Sequence, residues 1–168
     1  GCMAFFPQAG QATTDEPHRS DNTVWPVYTA KQLVAETGEI GWLEETIPYR
    51  DAGAATIYEH LVRGLAHIYE RRGPHGLPTL FHADWNDGLA VFQDETADGL
   101  ALFQDPDAES VMLGMQLVAA AGDLAELADA LGRQADAAWC ASVADELTGI
   151  LNSDTVWDGA WYRRLLLS

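Results

Sequence analysis

The chain has 168 residues, of which 48% are hydrophobic, and a formal net charge of −17. This length suits one globular domain with a sizeable buried core. The charge argues against nucleic acids and membrane surfaces as partners, because both attract positively charged proteins.

Two cysteines, Cys2 and Cys140, indicate neither a disulfide framework nor a zinc site, and no metal site is expected. The N-terminal segment lacks the charged start of a signal peptide. No apolar run approaches the roughly 18 residues of a membrane helix. We therefore expect a cytoplasmic protein with no membrane partner.

Residues 1–20 show no periodicity and are predicted to form a loop or disordered arm. Residues 21–168 form the predicted domain. Its first helix has an N-cap candidate in Asp21-Asn22-Thr23, Pro26 in the first turn, and Gly38 as its C-cap.

A connector over residues 39–53 leads to the helix with the clearest pattern. Its apolar residues recur on one face of a 3.6-residue period; they are Ile57, Leu61, Leu65 and Ile68. Gly73-Pro74 ends this helix, and a long loop over residues 73–106 follows.

Three helices are predicted after this loop. Asp107 is the N-cap candidate of the first, which ends near Gly122. Asp123 and Glu126 then begin a short helix as a variant of the capping box. The last helix is long and reaches Ile150. The predicted fold class is therefore all-α, with five helices that short connections join as antiparallel hairpins.

The loop over residues 73–106 is longer than a helical bundle needs, and such loops often carry function. It contains, in close succession, His82, Asp84, Trp85, Asn86 and Asp87. A carboxylate beside an indole is typical of sugar binding, because a sugar ring stacks on the indole while the acid reaches an oxygen. Either acid is also suited to capping backbone amides in a turn, and spacing does not decide which one donates a proton. His82 is either a structural residue or a contact for phosphate or a sugar hydroxyl.

Two further acids have two interpretations each. Glu59 lies off the apolar stripe of its helix and is either solvated or directed into a central cavity. Glu109-Ser110 fits the electrostatics and capping of a helix start. Near the end of the chain, Trp157, Trp161 and Tyr162 are either core residues or a sugar platform.

Seven short motifs occur together in the chain. In order, they are Ser20-Asp21-Asn22-Thr23-Val24-Trp25, Glu36-Thr37-Gly38, Tyr58-Glu59-His60-Leu61, His75-Gly76-Leu77-Pro78, Ala83-Asp84-Trp85-Asn86-Asp87-Gly88, Glu109-Ser110-Val111 and Trp157-Asp158-Gly159-Ala160-Trp161-Tyr162. This set resembles the inverting glycoside phosphorylases, a family that includes cellobiose, chitobiose and cellodextrin phosphorylases and the phosphorylase-like part of cyclic β-glucan synthases. The resemblance runs from about residue 20 to residue 168, and the Asp-Trp-Asn-Asp-Gly motif is its most specific part.

The resemblance implies that the helical hairpins form part of an (α/α)6 barrel with the site at its mouth. It also implies that Asp87 is the general acid and that Trp85 lines the sugar site. Asp84 is then a supporting or sugar-contacting carboxylate, with Asn86 and His82 in the same substrate-binding stretch. Inorganic phosphate would be the co-substrate, without a cofactor, and would attack the anomeric carbon of a disaccharide or oligosaccharide to give an α-sugar 1-phosphate.

The chain is much shorter than members of that family, and five helices do not close a ring of twelve. We therefore expect either a piece of a longer protein or a short relative whose open edge is covered by self-association as a homo-oligomer. Alone, the chain is expected to be inactive or nearly so.

Two alternatives remain open from the sequence. An inverting glycoside hydrolase would use Asp87 as acid and Glu59 or Glu109 as base. A non-catalytic sugar-binding or interaction module would retain the Trp85 platform without the chemistry.

Overall fold

A computed structural model describes residues 19–49, 52–81, 83–86, 105 and 107–168. These residues are mostly helical, which confirms the predicted class. The four α-helices of this part of the chain are α1 (Trp25–Thr37), α2 (Ile57–Tyr69), α3 (Val111–Ala130) and α4 (Gln134–Leu151). Two short 3-10 helices, Ser20–Thr23 and Gly41–Glu44, lie on either side of α1. Most of the predicted N-terminal arm falls outside the described residues.

Short strands tie the connections together as two antiparallel pairs. Strand β1 (Thr46–Pro48) pairs with β2 (Ala54–Thr56) directly before α2. Strand β3 (Glu109–Ser110) pairs with β4 (Leu165–Leu166), so the end of the chain returns to the start of α3. This second pairing positions the candidate site.

The first helix ends as predicted but begins differently. Gly38 occupies the C-cap with a left-handed φ of 71°. The predicted N-cap Asp21-Asn22-Thr23 instead lies in the 3-10 helix, and Val24 takes the N-cap position without a side-chain cap. The Asp21 carboxylate accepts a hydrogen bond from the indole nitrogen of Trp25 at 2.9 Å. That side chain is therefore directed at the indole rather than at the first helical amides.

The prediction of two separate helices between Asp107 and Leu131 is wrong. Helix α3 runs without a break from Val111 to Ala130, and its N-cap is Ser110, whose Oγ accepts the Leu113 amide at 3.0 Å. Gly122 lies in the helix interior. A helical glycine costs only about 1 kcal/mol relative to alanine, which is less than burial of one leucine side chain contributes, about 1.5–3 kcal/mol.

Helices α3 and α4 form a hairpin through the turn at residues 131–133, and α1 and α2 pack against α3. All four helices contribute to one apolar core, whose largest members include Leu65, Leu113, Leu117, Leu124 and Leu147. Cys140 is buried in this core, as predicted, and desolvation raises the pKa of its thiol to about 11.

By length and composition alone, α3 is apolar enough to cross a membrane. The prediction that no apolar run approaches the length of a membrane helix therefore does not hold for α3. Half of the apolar stretch is buried within the protein itself, as in the central helix of a folded domain.

Candidate active site

A small set of polar side chains is buried in the fold. Those found among the described residues are Ser20, Asp21, Thr23, Thr79, Asp84, Glu109 and Ser110. They come from three distant stretches that hydrogen bonds join: the Ser20 amide and hydroxyl donate to the Ala83 carbonyl at 2.9 and 3.2 Å. Burying polar groups is unfavourable unless they are paired, and of this set the Thr23 hydroxyl lacks a hydrogen-bond partner within the described part of the chain, whereas the Asp84 and Glu109 carboxylates are paired.

The Asp84 carboxylate is the centre of this arrangement and is fully buried. The guanidinium Nη2 of Arg164 lies 2.7 and 2.6 Å from its two oxygens. The Ser110 hydroxyl donates to Oδ2 at 2.6 Å, and the Asn86 amide donates to Oδ1 at 2.8 Å. Both oxygens are therefore held by donors from three parts of the chain.

Asp84 fixes the turn that carries the predicted sugar platform. Its bond to the Asn86 amide is a local Asx turn, which aspartate forms readily. Trp85 lies between the two residues and is 70% exposed. Just upstream, Phe81 has a φ of 54°, an unfavourable conformation for a bulky residue, where the chain enters this turn. The turn therefore presents an indole to solvent from a fixed backbone.

The end of the chain supplies the Arg164 guanidinium. Leu165 pairs with Ser110, and Leu166 pairs with Glu109, which places Arg164 beside the N-cap of α3. Its Nη1 also donates to the Ser110 hydroxyl at 3.2 Å. Trp157 and Tyr162 pack edge to face at the base of the preceding turn, with ring centroids 4.9 Å apart.

The segment before α1 approaches the same turn from the other side. Arg19 forms β-bridges with Phe81 and Ala83, and Asp21 is almost fully buried. Burial raises the pKa of the Asp21 carboxyl, the indole of Trp25 opposes that shift, and the nearby Asp84 charge adds to it. Two buried carboxyl groups therefore lie close enough to affect each other electrostatically.

Glu109, next to Ser110 in β3, organises the loop that precedes the turn. Its fully buried carboxylate accepts the Leu77 amide at 2.7 Å and the His75 amide at 3.1 Å, and the His75 ring Nδ1 lies 2.5 Å from Oε2. A Cβ on Gly73 would lie 2.5 Å from the Glu109 Cγ, so this close approach requires glycine. The motif His75-Gly76-Leu77-Pro78 is thus wrapped around one carboxylate.

Two other residues singled out in the sequence lie at the surface, and Glu59 thereby matches its solvated interpretation. Glu59 is exposed, in a capping box with Thr56 at the start of α2, and hydrogen bonds from Thr56 lower the pKa of its carboxyl. Trp161 is 68% exposed and therefore is not a core residue. His82 and Asp87 lie outside the described residues, so the roles predicted for them stay predictions, as do those of Asp84, Trp85 and Asn86.

Sequence reasoning missed Arg164. It stands beside a second arginine near the end of the chain, and no spacing rule connects it to Asp84, 80 positions earlier. Had Asp84 been known to be buried, a positively charged partner could have been expected, because a buried acid requires a counter-charge. Within the described residues, no cluster of three or more histidine, cysteine, aspartate or glutamate side chains is suited to hold a metal ion.

Residues 7–168 match the family described as the glycosyl hydrolase 94 superfamily, catalytic domain. Curated relatives include the N,N'-diacetylchitobiose phosphorylase of Vibrio furnissii, 40% identical over 78 residues, which are 46% of this chain and 10% of that protein. The solabiose phosphorylase of Paenibacillus borealis is 31% identical over 149 residues, which are 88% of this chain and 18% of that protein. A 3-O-beta-D-glucopyranosyl-beta-D-glucuronide phosphorylase of the same species is 28% identical over 144 residues, which are 85% of this chain and 17% of that protein.

The aligned residues therefore span less than a fifth of the length of each of these three relatives. The family match, in contrast, includes nearly every residue of the chain, among them all the motifs on which the resemblance was based. This chain belongs to the glycosyl hydrolase 94 superfamily and corresponds to part of its catalytic domain.

Proposed function

We propose that this chain supplies part of the active site of a phosphorylase that cleaves a β-glycosidic bond with inorganic phosphate and inverts the anomeric configuration. The observation that carries the proposal is the exposed Trp85 indole on a turn anchored by the buried Asp84, directly before Asp87. The relatives named as phosphorylases support the reaction class. In this proposal, α1–α4 are part of an (α/α)6 barrel, and the substrate is a disaccharide or oligosaccharide.

The proposed roles follow the chemistry of the side chains. Trp85 stacks against a sugar ring, and Asn86 and His82 contact sugar hydroxyls or phosphate. Asp87 is the general acid. Asp84 is better suited to a supporting role than to direct sugar contact, because its side chain is fully buried and both of its oxygens already accept hydrogen bonds.

The proposed step transfers a glycosyl group to phosphate. A phosphate oxygen forms a bond to the anomeric carbon while the bond to the leaving glycosidic oxygen breaks on the opposite face. Asp87 gives its proton to that oxygen, so the second sugar leaves as an alcohol. The phosphate monoester loses a proton to solvent at neutral pH, and Asp87 is reprotonated from solvent. No cofactor takes part, and phosphate serves as nucleophile without a protein base.

The two residues considered as the base of a hydrolase give that alternative little support. An inverting hydrolase needs a carboxylate that activates water opposite the acid. Glu59 is engaged in the capping box of α2. Glu109 is fully buried and accepts two backbone amides as well as the contact from His75.

The test uses the complete natural reading frame that carries this chain. Purified protein is incubated with β-linked disaccharides, with and without phosphate, and the products are identified by ³¹P and ¹H NMR. We expect cleavage only with phosphate and an α-sugar 1-phosphate as product. Asp87→Asn should lower kcat by about 10²- to 10⁴-fold, the usual contribution of general acid catalysis.

Asp145→Asn, an exposed acid on α4, is the matched control and should leave the rate unchanged. Sugar release without phosphate would favour a hydrolase. Sugar binding that Asp87→Asn does not change, without turnover of any donor, would favour a non-catalytic module.

A further inference from the structure

We propose that Arg164 is a positioning residue for the sugar-binding turn, so that the C-terminal segment of this chain completes the candidate site. Arg164 acts through Asp84 rather than on the substrate. Its effect on catalysis rests on the proposed function, whereas its effect on the turn does not.

The contacts of Arg164 form a bridge between two functional elements. Nη2 of the guanidinium lies within 2.7 Å of both Asp84 oxygens, and Nη1 donates to the Ser110 hydroxyl at 3.2 Å. Ser110 is also the N-cap of α3. Arg164 therefore connects the turn that carries Trp85 to the start of α3.

The turn depends on this bridge for an electrostatic reason. Asp84 is fully buried, and the carboxyl of Asp21 lies close enough to add negative charge to its surroundings. A buried carboxylate that loses its cation is strongly destabilised. Without the guanidinium, Asp84 is expected to turn towards water. That movement breaks the bond between its Oδ1 and the Asn86 amide, and this bond defines the turn.

The position of Arg164 is itself determined by distant pairing. Strand β4 begins at the next residue and pairs with β3, and the Arg163 amide donates to the Val156 carbonyl at 2.9 Å. The arginine is therefore held on both sides by backbone contacts. Its side chain is 35% exposed, in contrast to the buried Asp84 that it contacts.

The first experiment measures amide hydrogen exchange by mass spectrometry in Arg164→Met, Arg164→Lys and the control Arg163→Met, where the adjacent arginine is exposed. We expect Arg164→Met to speed exchange of the Asn86 amide by about tenfold or more, because a local opening becomes more frequent. Amides of α4 should exchange as in the parent, and Arg163→Met should change neither region. Unchanged exchange at Asn86, or an equal increase throughout α4, would overturn the proposal.

Arg164→Lys keeps the inference testable if the methionine variant does not fold. An ammonium retains the charge but does not span both Asp84 oxygens and Ser110 as the planar guanidinium does. We expect a folded protein with intermediate exchange at Asn86. Exchange identical to that of the parent would show that the guanidinium does not position the turn.

The second experiment measures phosphorolysis kinetics in a Trp85→Ala background. Arg164→Met should raise the KM for the disaccharide in the parent and change it much less when Trp85 is absent, because both changes disturb the same contact. Equal effects in the two backgrounds would contradict positioning through the turn. If no variant or parent shows phosphorolysis, the proposed function fails, while the exchange result still decides the role of Arg164.

Discussion

Two buried carboxylates on either side of Ser110 are stabilised in different ways. Glu109 is surrounded by the amides of one short loop, with the partly exposed His75 ring beside it. Asp84 forms an ion pair with Arg164, from the far end of the chain. Each acid is fully buried, and Ser110 lies beside both: it follows Glu109 in sequence and donates its hydroxyl to Asp84.

This difference indicates that Glu109 supports the scaffold, whereas Asp84 supports the candidate site. The loop around Glu109 is specified by nearby backbone groups and by a glycine that leaves room for the side chain. The ion pair of Asp84, in contrast, needs Arg164, which the pairing of β4 with β3 brings beside it. We therefore expect changes at Glu109 to affect global stability most, and changes at Asp84 to affect the turn and the proposed activity most.

The largest effect on stability is expected from Glu109→Gln. The new amide group turns a donor towards the His75 and Leu77 amides, which need an acceptor. Each buried donor left unsatisfied costs about 1–3 kcal/mol, so with more than one such group we expect a loss of about 3–5 kcal/mol in free energy of unfolding. Urea unfolding followed by circular dichroism measures this loss. Glu126→Gln, which removes an exposed ion pair with Lys31, should cost at most about 1 kcal/mol. Equal losses in the two variants would contradict the scaffold role of Glu109.

Asp84→Asn is expected to lower the free energy of unfolding by a smaller amount, about 2–3 kcal/mol. Breaking a buried ion pair is unfavourable, but Arg164 is partly exposed, so water compensates part of its charge. The double variant Asp84→Asn/Arg164→Met should lose clearly less than the sum of the two single losses. A double-mutant cycle by urea unfolding measures this coupling. Strict additivity would indicate that the ion pair does not hold the two segments together.

Gly73→Ala tests the Glu109 region without removing any hydrogen-bonding group. The added methyl would meet Glu109 and the Asp107 carbonyl at less than 3 Å, and forced repacking of this kind costs about 1–3 kcal/mol. Gly122→Ala is the control, because nothing lies within 4 Å of a Cβ there, and alanine favours the helix by about 0.5–1 kcal/mol. The midpoint of thermal unfolding should fall for Gly73→Ala and rise for Gly122→Ala. A shift in the same direction for both would contradict the close packing of Gly73 against Glu109.

The smallest effect is expected from Asp21→Asn and depends on pH. Burial raises the pKa of the Asp21 carboxyl above 3.8 in the folded protein. Folding therefore favours the protonated carboxyl. Its contribution to the free energy of unfolding is fully present below pH 3.8 and is lost as the pH rises through the pKa of the folded protein. An asparagine oxygen still accepts the Trp25 indole. We expect Asp21→Asn to be more stable than the parent at pH 7 and similar to it at pH 3.

Urea unfolding at both pH values measures this difference. Asp145→Asn, at an exposed position, should show none at either pH. A less stable Asp21→Asn at pH 7 would mean that the Asp21 carboxylate gains more from its contacts than it loses on burial.

Much of the scaffold was predictable because helices are specified over short distances. The apolar spacing from Ile57 to Ile68 predicted α2, and Gly38 ended α1 as expected. Helical hydrogen bonds join residues four positions apart, and caps act within one or two turns. The residues that begin and end a helix are therefore close together in the sequence. The motif around Trp85 was specific enough to indicate the family to which the chain belongs.

Three features were decided only by the tertiary structure. Helix α3 continues through Gly122, because burial of its apolar residues outweighs the weak local preference of glycine. Glu109 accepts the Leu77 amide, 32 positions earlier in the chain, and Arg164 meets Asp84, 80 positions earlier. A side chain that meets its partner through strand pairing leaves no periodic signal in the sequence. By itself, therefore, the sequence determined most of the helices and the family, while the tertiary structure decided the length of α3 and which charged side chain meets Asp84.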